Sequence, residues 1–194
     1  MAINRPAVPK AENVQLSEGV LVFNFDPEDW DSEDAIPFGA VRGGGTYNVE
    51  PTRKPVRFDG DRGEYTKGLV RNTEWVISIT ANALEIDADM MKKVLPGDVE
   101  EKTGNGTPGY KEYRPRLAIK DEDYIDNLAF ITETKDGKVV AYVIENVLGG
   151  EAFEQSFEDK EELVPELTFH AYFDPEKMDE VPTKVLFYDA EAQV

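Results

Sequence analysis

The chain has 194 residues and carries 40 Asp or Glu against 21 Lys or Arg, a net charge of −19 at neutral pH. That length supports one substantial core rather than two, and the acidic excess argues against tight nucleic-acid binding, which depends on Lys and Arg displacing condensed counterions from phosphates. Cysteine is absent, which excludes disulfides and thiolate metal sites and fits a reducing compartment; with no apolar run near the ~20 residues of a membrane span and no apolar leader in the first ten residues, the expectation is a soluble protein that stays where it is made.

Residues 2–16 contain Pro6 and Pro9 and show no periodicity, so the first eighteen residues read as an extended arm, ordered only by a partner. Residues 19–194 read as the single domain. Gly19 to Phe25 reads as a strand with Leu21, Phe23 and Phe25 on one face, followed by an acidic loop around Trp30. Gly43 to Gly45 reads as a hinge into an extended segment, Thr46 to Phe58, whose Pro51 and Pro55 place it at an edge or a bulge. Asp59 to Arg71, rich in glycine and charge, reads as a long exposed loop.

The clearest strand is Thr73 to Leu84, where Trp75, Ile77, Ile79, Ala81 and Ala83 alternate with more polar residues at period two. Asp87 is the expected N-cap of a helix over 88–95 that stops at Pro96-Gly97. Two turns are not stable alone, so the helix must dock, and the sequence nominates Met91 and Leu95 for that. Gly97 to Gly109 reads as a polar loop. Strands are then expected over Arg114–Lys120, Asn127–Thr134, Lys138–Val147, Glu166–Phe173 and Lys184–Asp189, with a tight hairpin at Asp136-Gly137. The fold class is mainly β: an antiparallel sandwich or barrel-like fold with one short flanking helix, an extended arm and long loops.

Chemistry is sparse. Gly104 to Gly109 matches G-x-G-x-x-G by letter, but it follows a helix stop and opens no helix, so it reads as a loop. The acidic runs 26–34 and 121–126 lack the glycine turn and closing glutamate of an EF-hand loop. His170 is the only histidine; it shares a strand face with Glu166, Thr168 and Tyr172 and reads as a hydrogen-bonded or surface side chain. With no cysteine, one histidine and no nucleophile elbow, there is no triad to build. The expectation is a protein that is not an enzyme and takes no cofactor or metal.

The middle of the chain carries a different signal. Gly-Gly-Gly-Thr-Tyr-Asn-Val-Glu-Pro (43–51), then Phe-Asp-Gly-Asp-Arg-Gly (58–63), then Thr-Lys-Gly-Leu (66–69), then a strand and a helix ending Leu95-Pro96-Gly97, resembles the major tail tube proteins of siphovirus-type bacteriophages. Weaker likeness continues through Val143–Gly149, around Asp159-Lys160, through Leu167–Asp174, and from Val181-Pro182 into Lys184–Tyr188. The resemblance implies a flanked β-sandwich, six copies per ring, and rings stacked into a tube through which DNA passes without specific binding. It also implies partners: other copies of the chain, and tape-measure, tail terminator and distal tail proteins. Assembly is then expected in the host bacterial cytoplasm, and residence in the virion tail. Candidate inter-subunit or inter-ring loop residues are Asp59, Gly60, Arg62, Gly63, Lys67, Gly68 and Arg71. The alternative is a monomeric carbohydrate-binding or adhesin module, with Trp30, Tyr110 and Tyr113 as stacking platforms for sugar rings.

Overall fold

The computed structural model describes residues 9–30, 32–104, 108–150, 152–157, 159 and 162–191. The first eight residues of the expected arm, the centre of the Gly104–Gly109 loop and Lys160 therefore lie outside the described residues. The strands are β1 (Gln15–Phe23), β2 (Ile36–Pro37), β3 (Val41–Pro55), β4 (Val70–Ala83), β5 (Gly97–Lys102), β6 (Tyr110–Pro115), β7 (Ile125–Thr134), β8 (Lys138–Gly149), β9 (Glu166–Ala171) and β10 (Thr183–Glu191); the helix α1 spans Ala88–Val94.

Eight strands form one sheet in the order β2-β1-β7-β8-β9-β4-β3, with β10 also on β8, and β5 and β6 form a separate ribbon. Every pairing is antiparallel. The architecture turns on β8. One edge pairs with β7, while along the other edge residues 138–144 pair with β10 and residues 147–149 with β9. Asn146 sits between these segments with φ +50°, a left-handed conformation that bends the strand. The sheet thus folds across itself, in the manner of a sandwich, and the fold is mainly β as the sequence implied.

The core between the layers gathers Phe23, Ile77, Ile79, Leu128, Ile144, Leu167 and Phe169. Phe23, Phe38 and Phe169 meet in a ring cluster with centroids 5.5–5.9 Å apart. The alternation read in β4 holds: Ile77, Ile79, Ala81 and Ala83 are buried and Val76 faces outward. On the opposite face of the other layer, Phe25, Ala129, Ala141 and Val143 make a second small cluster, where the Trp30 ring packs edge-on against Tyr188 at 4.8 Å.

Local signals explain several ends. Asp87 caps α1, its side chain accepting from the Met90 N–H at 2.7 Å. Gly137 turns the β7–β8 hairpin at φ +87°, and its N–H donates to the Thr134 carbonyl at 2.9 Å. Pro51 and Pro55 lie on β3, at the sheet edge, where missing N–H donors cost no ladder bond.

Four expectations need correction. Gly97 to Lys102, read as loop, is β5, and the strand read over Arg114–Lys120 is instead β6 at Tyr110–Pro115, with a loop after it. Gly43 and Gly44 do not form a hinge before a strand; they make a bulge inside β3, where the register shifts between Val41 and Gly45. β1 begins at Gln15, within the stretch read as arm, and residues 11–13 form a single 3-10 turn. Finally, of the nominated docking pair, Leu95, the C-cap, is partly buried against the core and Met91 is half-buried, while the deepest side chains of α1 are Met90 and Val94.

Candidate functional site

The sheet topology leaves the β3–β4 hairpin projecting. β9 pairs with β4 only over residues 78–82, so from Val70 to Ile77 the described partner of β4 is β3 alone. Beyond the ribbon comes the loop 56–69, which holds six of the seven candidate contact residues; the seventh, Arg71, lies opposite Lys54 at the start of β4. The structure therefore brings all seven together at one tip, and all are exposed. Met91 and Leu95 lie elsewhere, on α1.

The loop is organised around a residue the sequence reading passed over. Asp61 accepts from the Arg57 guanidinium at 2.9 Å and from the Gly63 N–H at 3.3 Å, and the Thr66 hydroxyl lies 3.5 Å away. Arg57 also donates to the Gly63 carbonyl at 2.6 Å. The Arg57 hydrogen bond, followed by that of Gly63, holds the Asp61 carboxyl below its ordinary range. Gly60 and Gly68 take φ of +92° and +83°, conformations open to glycine at no steric cost. The only sequence signal for this node was an Asp two residues before a Gly, which is common in loops.

Two features of the tip bear on binding. Val56, Phe58, Tyr65, Leu69 and Val70 are all exposed, an apolar group on a segment with no core beneath it. Residues 53–71 also carry six Lys or Arg against three Asp or Glu, net +3 on a chain of −19, which leaves −22 on the remainder. A basic, apolar tip on an acidic body is electrostatically complementary to another copy of that body.

A second loop is built as firmly. Arg116, after β6, makes two hydrogen bonds to the Asp123 carboxylate at 2.5 and 2.6 Å, one to Asp98 at 2.6 Å and one to the Ala118 carbonyl at 3.0 Å. The Lys120 N–H donates to Asp123 at 2.7 Å. Burial pushes the Asp123 carboxyl up, but Arg116 and the Lys120 N–H together outweigh it and hold it below the ordinary value.

His170 is half-buried and lines a polar cleft of about 860 Å³ with Arg42, Glu162, Glu166 and Thr168. Arg42 pairs with Glu162 at 2.6 Å. Among the described residues, no group of three or more His, Asp or Glu is arranged to hold a metal ion, and no helix is long and apolar enough to cross a membrane. Of the three aromatics considered for sugar stacking, Trp30 packs on Tyr188 and Tyr113 donates its hydroxyl to the Leu95 carbonyl at 3.0 Å. Tyr110 is exposed, at the far end of the β5–β6 ribbon. The three do not form one platform. No protein-family model matches the chain, and no curated protein matches its sequence.

Proposed function

We propose that this chain is a structural subunit that associates with copies of itself, as in the rings and stacked tube of a siphovirus-type tail. The observation that carries this reading is the projecting β3–β4 tip, exposed, apolar and net positive on an otherwise strongly acidic molecule. A monomer gains nothing from such a tip, whereas a neighbour's acidic surface offers it both burial and opposite charge. The free edge of β3 and the resemblance of residues 43–97 to tail tube proteins point the same way. In that role the chain needs no cofactor and performs no catalysis; its partners are further copies, the tape-measure, terminator and distal tail proteins, and DNA that slides past an acidic wall. Its place is the virion tail, after assembly in the bacterial cytoplasm.

Sedimentation velocity across a concentration series tests self-association. The parent chain is expected to form concentration-dependent large species, and Phe58→Ser with Leu69→Ser to weaken them without changing the monomer's circular dichroism. A parent chain that sediments as a monomer at every concentration contradicts the proposal.

A further inference from the structure

Asp61 is enclosed by a loop that has no core beneath it. Its side chain is 10% exposed, although residues 56–60 and 62–65 around it are all exposed. What covers Asp61 is the loop itself. At the base the Val56 N–H donates to the Leu69 carbonyl at 2.7 Å, and each half of the loop carries one turn: the Asp61 N–H donates to the Phe58 carbonyl at 3.1 Å, and the Leu69 N–H to the Thr66 carbonyl at 3.0 Å. The Asp61 carboxylate joins the two halves. It accepts from the Arg57 guanidinium on the first and from the Gly63 N–H on the second, with the Thr66 hydroxyl beside it.

Three exposed apolar side chains hang on this node. Phe58 follows Arg57 and its carbonyl accepts from the Asp61 N–H, Tyr65 lies between Gly63 and Thr66, and the Leu69 N–H is tied to Thr66; these side chains are 50%, 55% and 36% exposed. Ordering a loop costs chain entropy. Here the hydrogen bonds add nothing to the core, since every described partner of Asp61 lies within residues 57–66. A fixed shape on an exposed tip does lower the cost of binding, because the ordering is complete before the partner arrives.

We propose that Asp61 is the positioning residue of the self-association contact, holding the tip in the shape that a second copy recognises. This rests on the self-association reading and names what the contact requires of the tip besides its charge. The occupant is a second copy because the tip is net +3 and the remainder of the chain −22, so the surface of opposite sign lies on the same molecule. Asp61 itself opposes that attraction, since its carboxylate lowers the positive charge of the tip. Charge and shape therefore predict opposite effects of removing it.

The test is the sign of that effect. Asp61→Ala, Asp61→Asn and Glu64→Ala each remove one negative charge from the loop, and by charge alone each favours association of copies at −19. Glu64 lies in the same loop, exposed and outside the node. In sedimentation velocity across a concentration series, Asp61→Ala is expected to reach half-assembly at a concentration about tenfold above the parent's. Asp61→Asn is expected between the two, because its amide oxygen still accepts from Gly63 or Arg57, and Glu64→Ala at or below the parent's. The urea midpoints of the monomers are expected to agree, while the Gly63 amide exchanges faster in Asp61→Ala than in the parent. Four results overturn the proposal: Asp61→Ala that assembles as readily as the parent, Asp61→Asn that assembles no better than Asp61→Ala, Glu64→Ala that weakens assembly as much as Asp61→Ala, or an Asp61→Ala monomer whose urea midpoint falls, which would make Asp61 a residue of the fold and not of the contact. A parent chain that stays monomeric removes the self-association reading and this proposal with it; a parent that assembles beside an equally competent Asp61→Ala removes this proposal alone.

Discussion

Gly149 is where the helix meets the sheet. A Cβ there would collide with the Val94 carbonyl oxygen and crowd that of Lys93, so the last turn of α1 lies directly on the end of β8 because this residue has no side chain. Gly149→Ala is expected to cost about 1–3 kcal/mol through overpacking, measured by urea unfolding; an unchanged midpoint would mean that the helix is not seated as described. Asp123 gives a second test with a definite sign. Its folded carboxyl is held below the unfolded value, so its stabilising contribution is full above about pH 3.9 and is lost as pH falls from there through the folded value. In Arg116→Ala burial still pushes that carboxyl up, and only the Lys120 N–H and the Lys120 charge are left to oppose it. The variant is therefore expected to be less stable than the parent at neutral pH, with the gap narrowing as pH falls below about 4, because protonation relieves the unpaired charge. A gap independent of pH would contradict the ion pair's role.

Among elements, α1 shows what the sequence disclosed and what it withheld. Its start, its stop and its need to dock were all legible, from Asp87, Pro96-Gly97 and its length. Its facing was not, because Met90 with Val94 and Met91 with Leu95 are both i,i+4 apolar pairs, and two turns give too little periodicity to choose between them. The structure buries the first pair. Met90→Ala is expected to cost about 2–5 kcal/mol and Met91→Ala under about 1 kcal/mol in equilibrium unfolding; the reverse order would invert the helix. β5 and β6 were hidden for a different reason. Glu100, Glu101, Lys102, Lys111 and Glu112 leave the ribbon little apolar face to read; six antiparallel residue pairs join its strands, with Lys102 reaching Glu112 across them at 3.4 Å. β4 was legible from its period-two alternation, which buries Ile77, Ile79, Ala81 and Ala83, although Trp75 on the same face is only half-buried. The candidate tip was found as a segment, through its glycines and charges, while Asp61 at its centre and the Arg116–Asp123 frame were missed, since nothing in a linear sequence marks which carboxylate an arginine will reach.

At the scale of the whole molecule the decisive quantity is charge. Copies at −19 repel one another, while a +3 tip against a −22 body attracts locally. Raising monovalent salt from about 10 mM to about 500 mM shortens the Debye length from roughly 30 Å to below about 5 Å. Long-range repulsion between bodies is screened first, and apolar contacts at the tip are untouched. Light scattering is expected to rise with salt; particles that dissolve as salt rises would show that ion pairs, not apolar burial, hold the copies together. The central claim, that this fold is a subunit of a closed, stacked assembly, is tested most directly by negative-stain electron microscopy of the purified chain at high concentration and high salt. The account predicts rings of uniform diameter and tubes made of them. A field of monodisperse single particles under the same conditions would contradict it.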